Sequence, residues 1–221
     1  MVKQETPSWN PSSFKLDFEI STINAFRAVF PNAVLKGCNF HFNQCLWRKV
    51  QSLGLAKPYV DNPEVKEHIR KCAALAHLPP YATDEGWLNI METSPSISAV
   101  QDFNDYFVEQ WLENSVFGEM WICYNERHRT TNSLEGWHNR LNRSIGKYNP
   151  NICELLSVLK EDSKYYDFVS SQVDLNITPR KRSKKNINID VCIKSILDKF
   201  VDKQITVEHC LNKLKYIVKL N

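Results

Sequence analysis

Between Phe14 and Phe40 the chain passes from one short apolar run, Phe14 to Phe18, through a helical stripe of Ile20, Ile23, Phe26 and Phe30, to a second apolar run, Val34 to Phe40. The stripe gives one face to a core and leaves Ser21, Thr22 and Arg27 outside it. Pro31 ends that helix, because the residue before a proline is pushed out of the helical region. Two short buried strands joined by one helix predict a parallel crossover. Asp17 then falls at a strand's carboxyl end, the edge at which ligands and metals gather in open α/β sheets. It is equally suited to capping the helix that follows.

Beyond this unit the pattern turns helical. Phe42, Leu46, Val50 and Leu53 form a stripe closed by Gly54, and Asn62-Pro63 opens a helix with Val65, Ile69, Cys72 and Ala76 on one face. Pro79-Pro80 stops it. Thr83-Asp84-Glu85 opens a shorter helix around Trp87, Leu88 and Met91, and Val100, Phe103, Phe107 and Trp111 give the next stripe. Consecutive helices with no strand between them predict a helical insertion over about 56–114. Trp121 to Tyr124 fits helix or strand, and a polar loop, Asn125 to Thr131, follows. Asn132 is the expected N-cap of a helix carrying Leu134, Trp137, Leu141 and Ile145 and ended by Gly146. Asn151 and Glu154 start another with Leu155, Leu156 and Leu159, which fades near Asn176, and two short amphipathic helices are expected at Val191 to Val201 and Val207 to Leu220.

At 221 residues and 43% hydrophobic content the chain can build one substantial domain with an appendage. The expected division is a loose leader at 1–13, a main domain at 14–175, a basic linker at 176–189 and a helical segment at 190–221. No apolar run reaches membrane-spanning length and the first residues lack the apolar centre of a secretory signal, so an intracellular protein with no membrane partner is expected. Seven scattered cysteines do not form the dense even framework of a small secreted domain. The charge is uneven: Arg180, Lys181, Arg182, Lys184 and Lys185 crowd into six positions, and removing those five from the net +3 leaves −2. Attraction for phosphate is therefore local to this exposed, flexible run, which is suited to nuclear import, to DNA contact or simply to a solvated linker.

Leu-Asp-Phe-Glu at 16–19, Phe-Pro at 30–31, Gly-Cys-Asn-Phe-His-Phe-Asn-Gln at 37–44 and Thr-Asn-Ser-Leu-Glu-Gly-Trp-His at 131–138, in this order and separation, resemble the transposase domain of Mutator-like elements from about Phe14 to Phe168. The resemblance implies a ribonuclease-H-like core interrupted by a helical insertion. It implies metal-binding catalytic roles for Asp17 and Glu135, the second and third members of an Asp, Asp, Glu triad. Cys38 and His41 match the family's Cys-x-x-His signature, and His138 lies in its final motif. Such carboxylates hold two Mg²⁺ ions, which activate a water or 3′-hydroxyl and stabilise the leaving oxygen of a phosphodiester. The resemblance also implies DNA as partner, is compatible with a homo-oligomer, and points to the nucleus, with the cytoplasm as the alternative. Glu135 has a structural reading too, since its spacing from Asn132 is that of a capping box.

The family places its first acid on the first of three strands before the one carrying Asp17, and the 16 residues preceding Asp17 have no room for them. The expectation is an α-rich α/β fold with two parallel strands left from the core, a fragment or relic that is inactive alone. A transposase-derived nuclear DNA-binding or protein-interaction module is the alternative, and an active recombinase with its missing acid supplied elsewhere is a third reading. Cys38 and His41 are expected to pack and hydrogen-bond near Asp17 rather than to hold zinc; His68 and Cys72, one turn apart, are the residues that would complete a zinc site.

Overall fold

The structure, a computed structural model, describes residues 10–175, 184–218 and 220. Most of the expected leader (1–9) and the Arg180, Lys181 and Arg182 part of the basic run lie outside the described residues. Strand β1 (Ser13–Leu16), helix α1 (Ile20–Val29) and strand β2 (Val34–Gly37) form the expected crossover. The strands pair in parallel, Ser13 with Val34, Phe14 with Leu35, Lys15 with Lys36 and Leu16 with Gly37. Both are shorter than the apolar runs suggested. β1 stops at Leu16 because Phe18 leaves the strand and lays its ring against Gly37, where a Cβ would sit 2.4 Å from Phe18 Cζ and 2.9 Å from the Met120 carbonyl oxygen. β2 stops at Gly37 because Cys38 already caps the next helix.

That helix, α2 (Asn39–Ser52), ends before Gly54, whose φ of +71° provides the left-handed turn expected there. α3 (Ala56–Asp61), α4 (Pro63–Ala74), α5 (Thr83–Glu92) and α6 (Ser98–Phe107) follow, and a π turn at Val108–Leu112 carries α6 onward. Asn62 caps α4 by accepting from the Glu64 N–H, with Pro63 at the first helical position. The later helices are α7 (Asn132–Ile145), α8 (Ile152–Asp174), α9 (Lys184–Val201) and α10 (Val207–Leu214). The fold is thus an α-rich α/β arrangement with a two-stranded parallel sheet. Among the described residues no helix is long and apolar enough to cross a membrane.

Three local expectations need correction. Helix α7 begins at Asn132 with Thr131 as its capping residue, and Thr131 makes no side-chain capping bond. Helix α9 already includes Lys184, seven residues before Val191, so Lys184 and Lys185 are exposed on a helix rather than in a flexible linker. From Ile189 onward, Ile189, Ile193, Ile196 and Leu197 supply a continuous core-facing stripe, and Arg129 pairs with Asp190 at 2.6 Å. Helix α10 ends at Leu214, before the expected Leu220.

The chain forms two compact units, one of Met1–Thr130 with Ile189–Asn221 and the other of Thr131–Asn188. The C-terminal segment therefore belongs to the first unit, where α10 packs on α4 and α5. The centre of that unit is aromatic. Trp111 lies edge-on to Phe18 and Phe42, with centroids 4.8 Å away in each case, and Phe42 stacks on Trp121 at 5.4 Å. Trp111 and Phe42 are fully buried, so the helical insertion fastens directly to the strand unit.

Candidate metal centre

Asp17 is held from both sides. The Leu16 carbonyl accepts from the Cys38 N–H at 2.9 Å, continuing the ladder one step past the strands, and the Phe18 ring packs edge-on against both Trp111 and Phe117, which stack on each other. Cys38 and His41 owe their positions to helix α2. Cys38 is the N-cap and His41 stands three residues on, the spacing at which the side chains of a capping box converge over a helix start. The Asn39 N–H, one of the donors left over at that start, is taken by the Arg129 carbonyl at 2.8 Å.

The three side chains meet. Ligand atoms of Asp17, Cys38 and His41 all lie within 4.8 Å of one another. His41 Nδ1 is 2.8 Å from Asp17 Oδ1, an ion-pair distance without the angles of a hydrogen bond. Cys38 is fully buried, the His41 side chain is 25% exposed and the Asp17 side chain 57% exposed, so the cluster has a dry floor and a wet rim. A positive helix end facing a carboxylate adds to the attraction.

A second charged group lies on the neighbouring strand positions. Lys15 and Lys36 stand opposite each other in the sheet, a like-charge pairing that would repel if left alone. Glu126 answers both: it bonds Lys15, and Lys36 Nζ is 3.6 Å away. Glu126 falls in the polar loop expected at Asn125 to Thr131. Its signal was there in two lysines at matching strand positions, but only once the register was known.

His68 and Cys72 do not join Cys38 and His41. His68 Nε2 is 2.7 Å from Asn104 Oδ1, and burial lowers its pKa; burial likewise pushes the Cys72 thiol up. Elsewhere in the first unit Cys123 Sγ lies 3.3 Å from His77 Nδ1. Burial pushes His77 down to about 3 and Cys123 up to about 12, so the two form a neutral packed pair rather than an activated thiolate. Cys123 also lines a cavity of about 360 Å³ with Glu126, Arg129 and Asp190.

Glu135 and His138 belong to the second unit. Glu135 is half-buried on the first turn of α7, its N–H donating to the Thr131 carbonyl at 3.0 Å, and His138 is exposed. In that unit Trp137 Nε1 donates to Asp162 at 2.6 Å and Arg140 pairs with the same carboxylate, tying α7 to α8. Asn151 and Glu154 form a full capping box at the start of α8. Comparison with protein-family models, curated proteins and solved structures finds no match for the chain.

Proposed function

We propose that this chain is a domain derived from a Mutator-like transposase, with a ribonuclease-H-like core, that does not cut or join DNA unaided. Asp17 at the end of a parallel strand–helix–strand crossover, beside Cys38 and His41, supports the ancestry. The donor set carries the functional reading. Mg²⁺ takes oxygen ligands in near-octahedral geometry, and two-metal phosphoryl chemistry needs several carboxylates to anchor both ions. The cluster offers one carboxylate, one imidazole and one thiol. That set does not fit a resident Mg²⁺ pair; against the packing role expected for Cys38 and His41 from the sequence, it matches the nitrogen, sulfur and oxygen ligands of a single Zn²⁺-like ion.

DNA remains the proposed partner and the nucleus the proposed location, with Lys184 and Lys185 as described contributors of positive charge. The test is a nicking and strand-transfer assay with Mg²⁺ or Mn²⁺ on DNA carrying candidate terminal repeats. The expected result is no product from this chain, and product only when a segment bearing a further strand and acid is fused before it. Activity of the unfused chain that disappears in Asp17→Asn or Glu135→Gln would overturn the proposal.

A further inference from the structure

A cavity of about 290 Å³ opens where helix α4 meets the turn after α10, lined by Pro63, Lys66, Glu67 and Arg70 of α4 and by Lys215 and Tyr216 beyond Leu214. These residues all belong to the first unit, and none is part of the Asp17 cluster. The volume is roughly the liquid share of ten waters, more than a bare phosphate group fills and at the small end of ligand pockets.

The charges around this cavity do not balance. Lys71 and Lys215 are buried, and both ammonium groups go to the same oxygen, Glu67 Oε1, at 2.9 and 2.6 Å. The Lys215 ammonium, with Lys71 behind it, holds the Glu67 carboxyl below its ordinary value, so it is one full negative charge between two positive ones. Arg70 adds a cation whose acceptor is neutral: Nη2 donates to the Val218 carbonyl at 2.7 Å, and Nε is buried with no acceptor among the described residues. Lys66 is exposed, lies over the Tyr59 ring at 5.9 Å and meets no carboxylate among the described residues. Glu64, the other acid of α4, does not line the cavity. Cations drawn out of water are costly without counter-charge, and here Lys66, Arg70, Lys71 and Lys215 share one carboxylate. An anion in the cavity would remove that imbalance.

The size of the excess favours phosphate over carboxylate, because a phosphomonoester carries nearly two charges at neutral pH and three acceptor oxygens, which an arginine fork matches. Tyr216 adds a flat partner. Its ring is 74% exposed, with the Lys215 ammonium 5.2 Å from the centroid. An exposed ring beside a cationic hollow suits a nucleotide, base on the ring and phosphate on the cations. We propose that this cavity binds a nucleoside 5′-phosphate, the phosphate among Lys66, Arg70 and Lys215 and the base against Tyr216. A free mononucleotide and the phosphorylated end of a nucleic-acid strand present this same group.

Isothermal titration calorimetry of the whole chain with adenosine 5′-monophosphate tests this, with adenosine, glutarate and inorganic phosphate as comparison probes. The expected result is one mononucleotide per chain, weaker binding of inorganic phosphate and none of adenosine or glutarate. Lys66→Gln and Tyr216→Leu change exposed positions, so they read binding rather than folding, and circular dichroism verifies their helicity. Lys66→Gln should weaken the mononucleotide and inorganic phosphate alike, by about tenfold. Tyr216→Leu should weaken the mononucleotide about tenfold and leave inorganic phosphate unchanged. Competition by an oligonucleotide with a 5′-phosphate, against the same strand with a 5′-hydroxyl, assigns the source. Displacement by the phosphorylated strand alone identifies a strand end, and displacement by neither identifies a free nucleotide. Equal displacement by both strands, no saturable binding of the mononucleotide, equal binding of adenosine or glutarate, or wild-type affinity in either variant would each overturn the proposal. No strand is cut in this measurement, so its outcome is separate from that of the nicking assay.

Discussion

The two units of this chain solve the burial problem in opposite ways. The first packs Trp111, Phe42, Phe103 and Phe107 out of water completely, around strands of four residues each. The second contains a helix of 23 residues, α8, on which no side chain is fully buried. Local signals in the second are nonetheless the better formed: a capping box opens α8, and a left-handed Gly146 at φ +69° closes α7. Good caps and good periodicity therefore define a helix without defining its neighbours. Stability by burial belongs to the first unit, and well-formed local signals to the second.

The most severe way to break that contrast is Trp111→Ala. Removing the ring that joins Phe18 to Phe42 should cost about 3–5 kcal/mol, seen as a lower midpoint of chemical denaturation. Hydrogen exchange in α7 and α8 should hardly change; equal acceleration there would show that the units share one cooperative transition.

Acid should also act on the first unit. Burial disfavours the charged His77 ring and pushes it down from its ordinary 6.5 to about 3 in the folded chain. Between those values the unfolded chain binds a proton that the folded chain refuses. Stability is therefore fully present above about pH 6.5 and falls as pH drops towards 3, by an amount on the order of a few kcal/mol. His77→Leu should flatten that fall in denaturation curves taken across the window. An unaltered slope would assign the acid sensitivity to other groups.

Asp162→Ala addresses the second unit. It leaves Trp137 Nε1 and Arg140 without their shared acceptor and should cost about 1–3 kcal/mol, confined to exchange protection in α7 and α8. The smallest expected effect is Asn151→Ala, about 1 kcal/mol, from loss of the side-chain bond to the Glu154 N–H. Its signature is fraying of the first turn of α8, measurable as faster exchange there alone.

The strand–helix–strand unit was legible in the sequence because Pro31 and the spacing of Ile23, Phe26 and Phe30 leave few alternatives. The convergence of Cys38 and His41 on Asp17 followed once Cys38 became a helix cap. What was not legible depends on distant partners. Helix α9 includes Lys184 and Lys185, two of the basic residues that read as a linker, and its helical period becomes plain only from Ile189 and Ile193 onward, where Arg129 pairs with Asp190. Glu126 required the strand register that sets Lys15 beside Lys36. His68, a ligand candidate by its spacing from Cys72, is committed to Asn104 from another helix. In α8 the inner and outer stripes are both apolar, and periodicity alone does not say which is buried.

Asp17, Cys38 and His41 are proposed as a single-ion site suited to nitrogen and sulfur ligation rather than the anchor of a Mg²⁺ pair. Titration of the reduced chain with Co²⁺ tests this most directly, because a cobalt–thiolate bond gives a charge-transfer absorption that an oxygen site lacks. The expected result is this band at one ion per chain, displaced by Zn²⁺, unaffected by excess Mg²⁺, abolished in Cys38→Ser and weakened in Asp17→Asn. Absence of the band, its persistence in Cys38→Ser, or its displacement by Mg²⁺ would contradict the single-ion site.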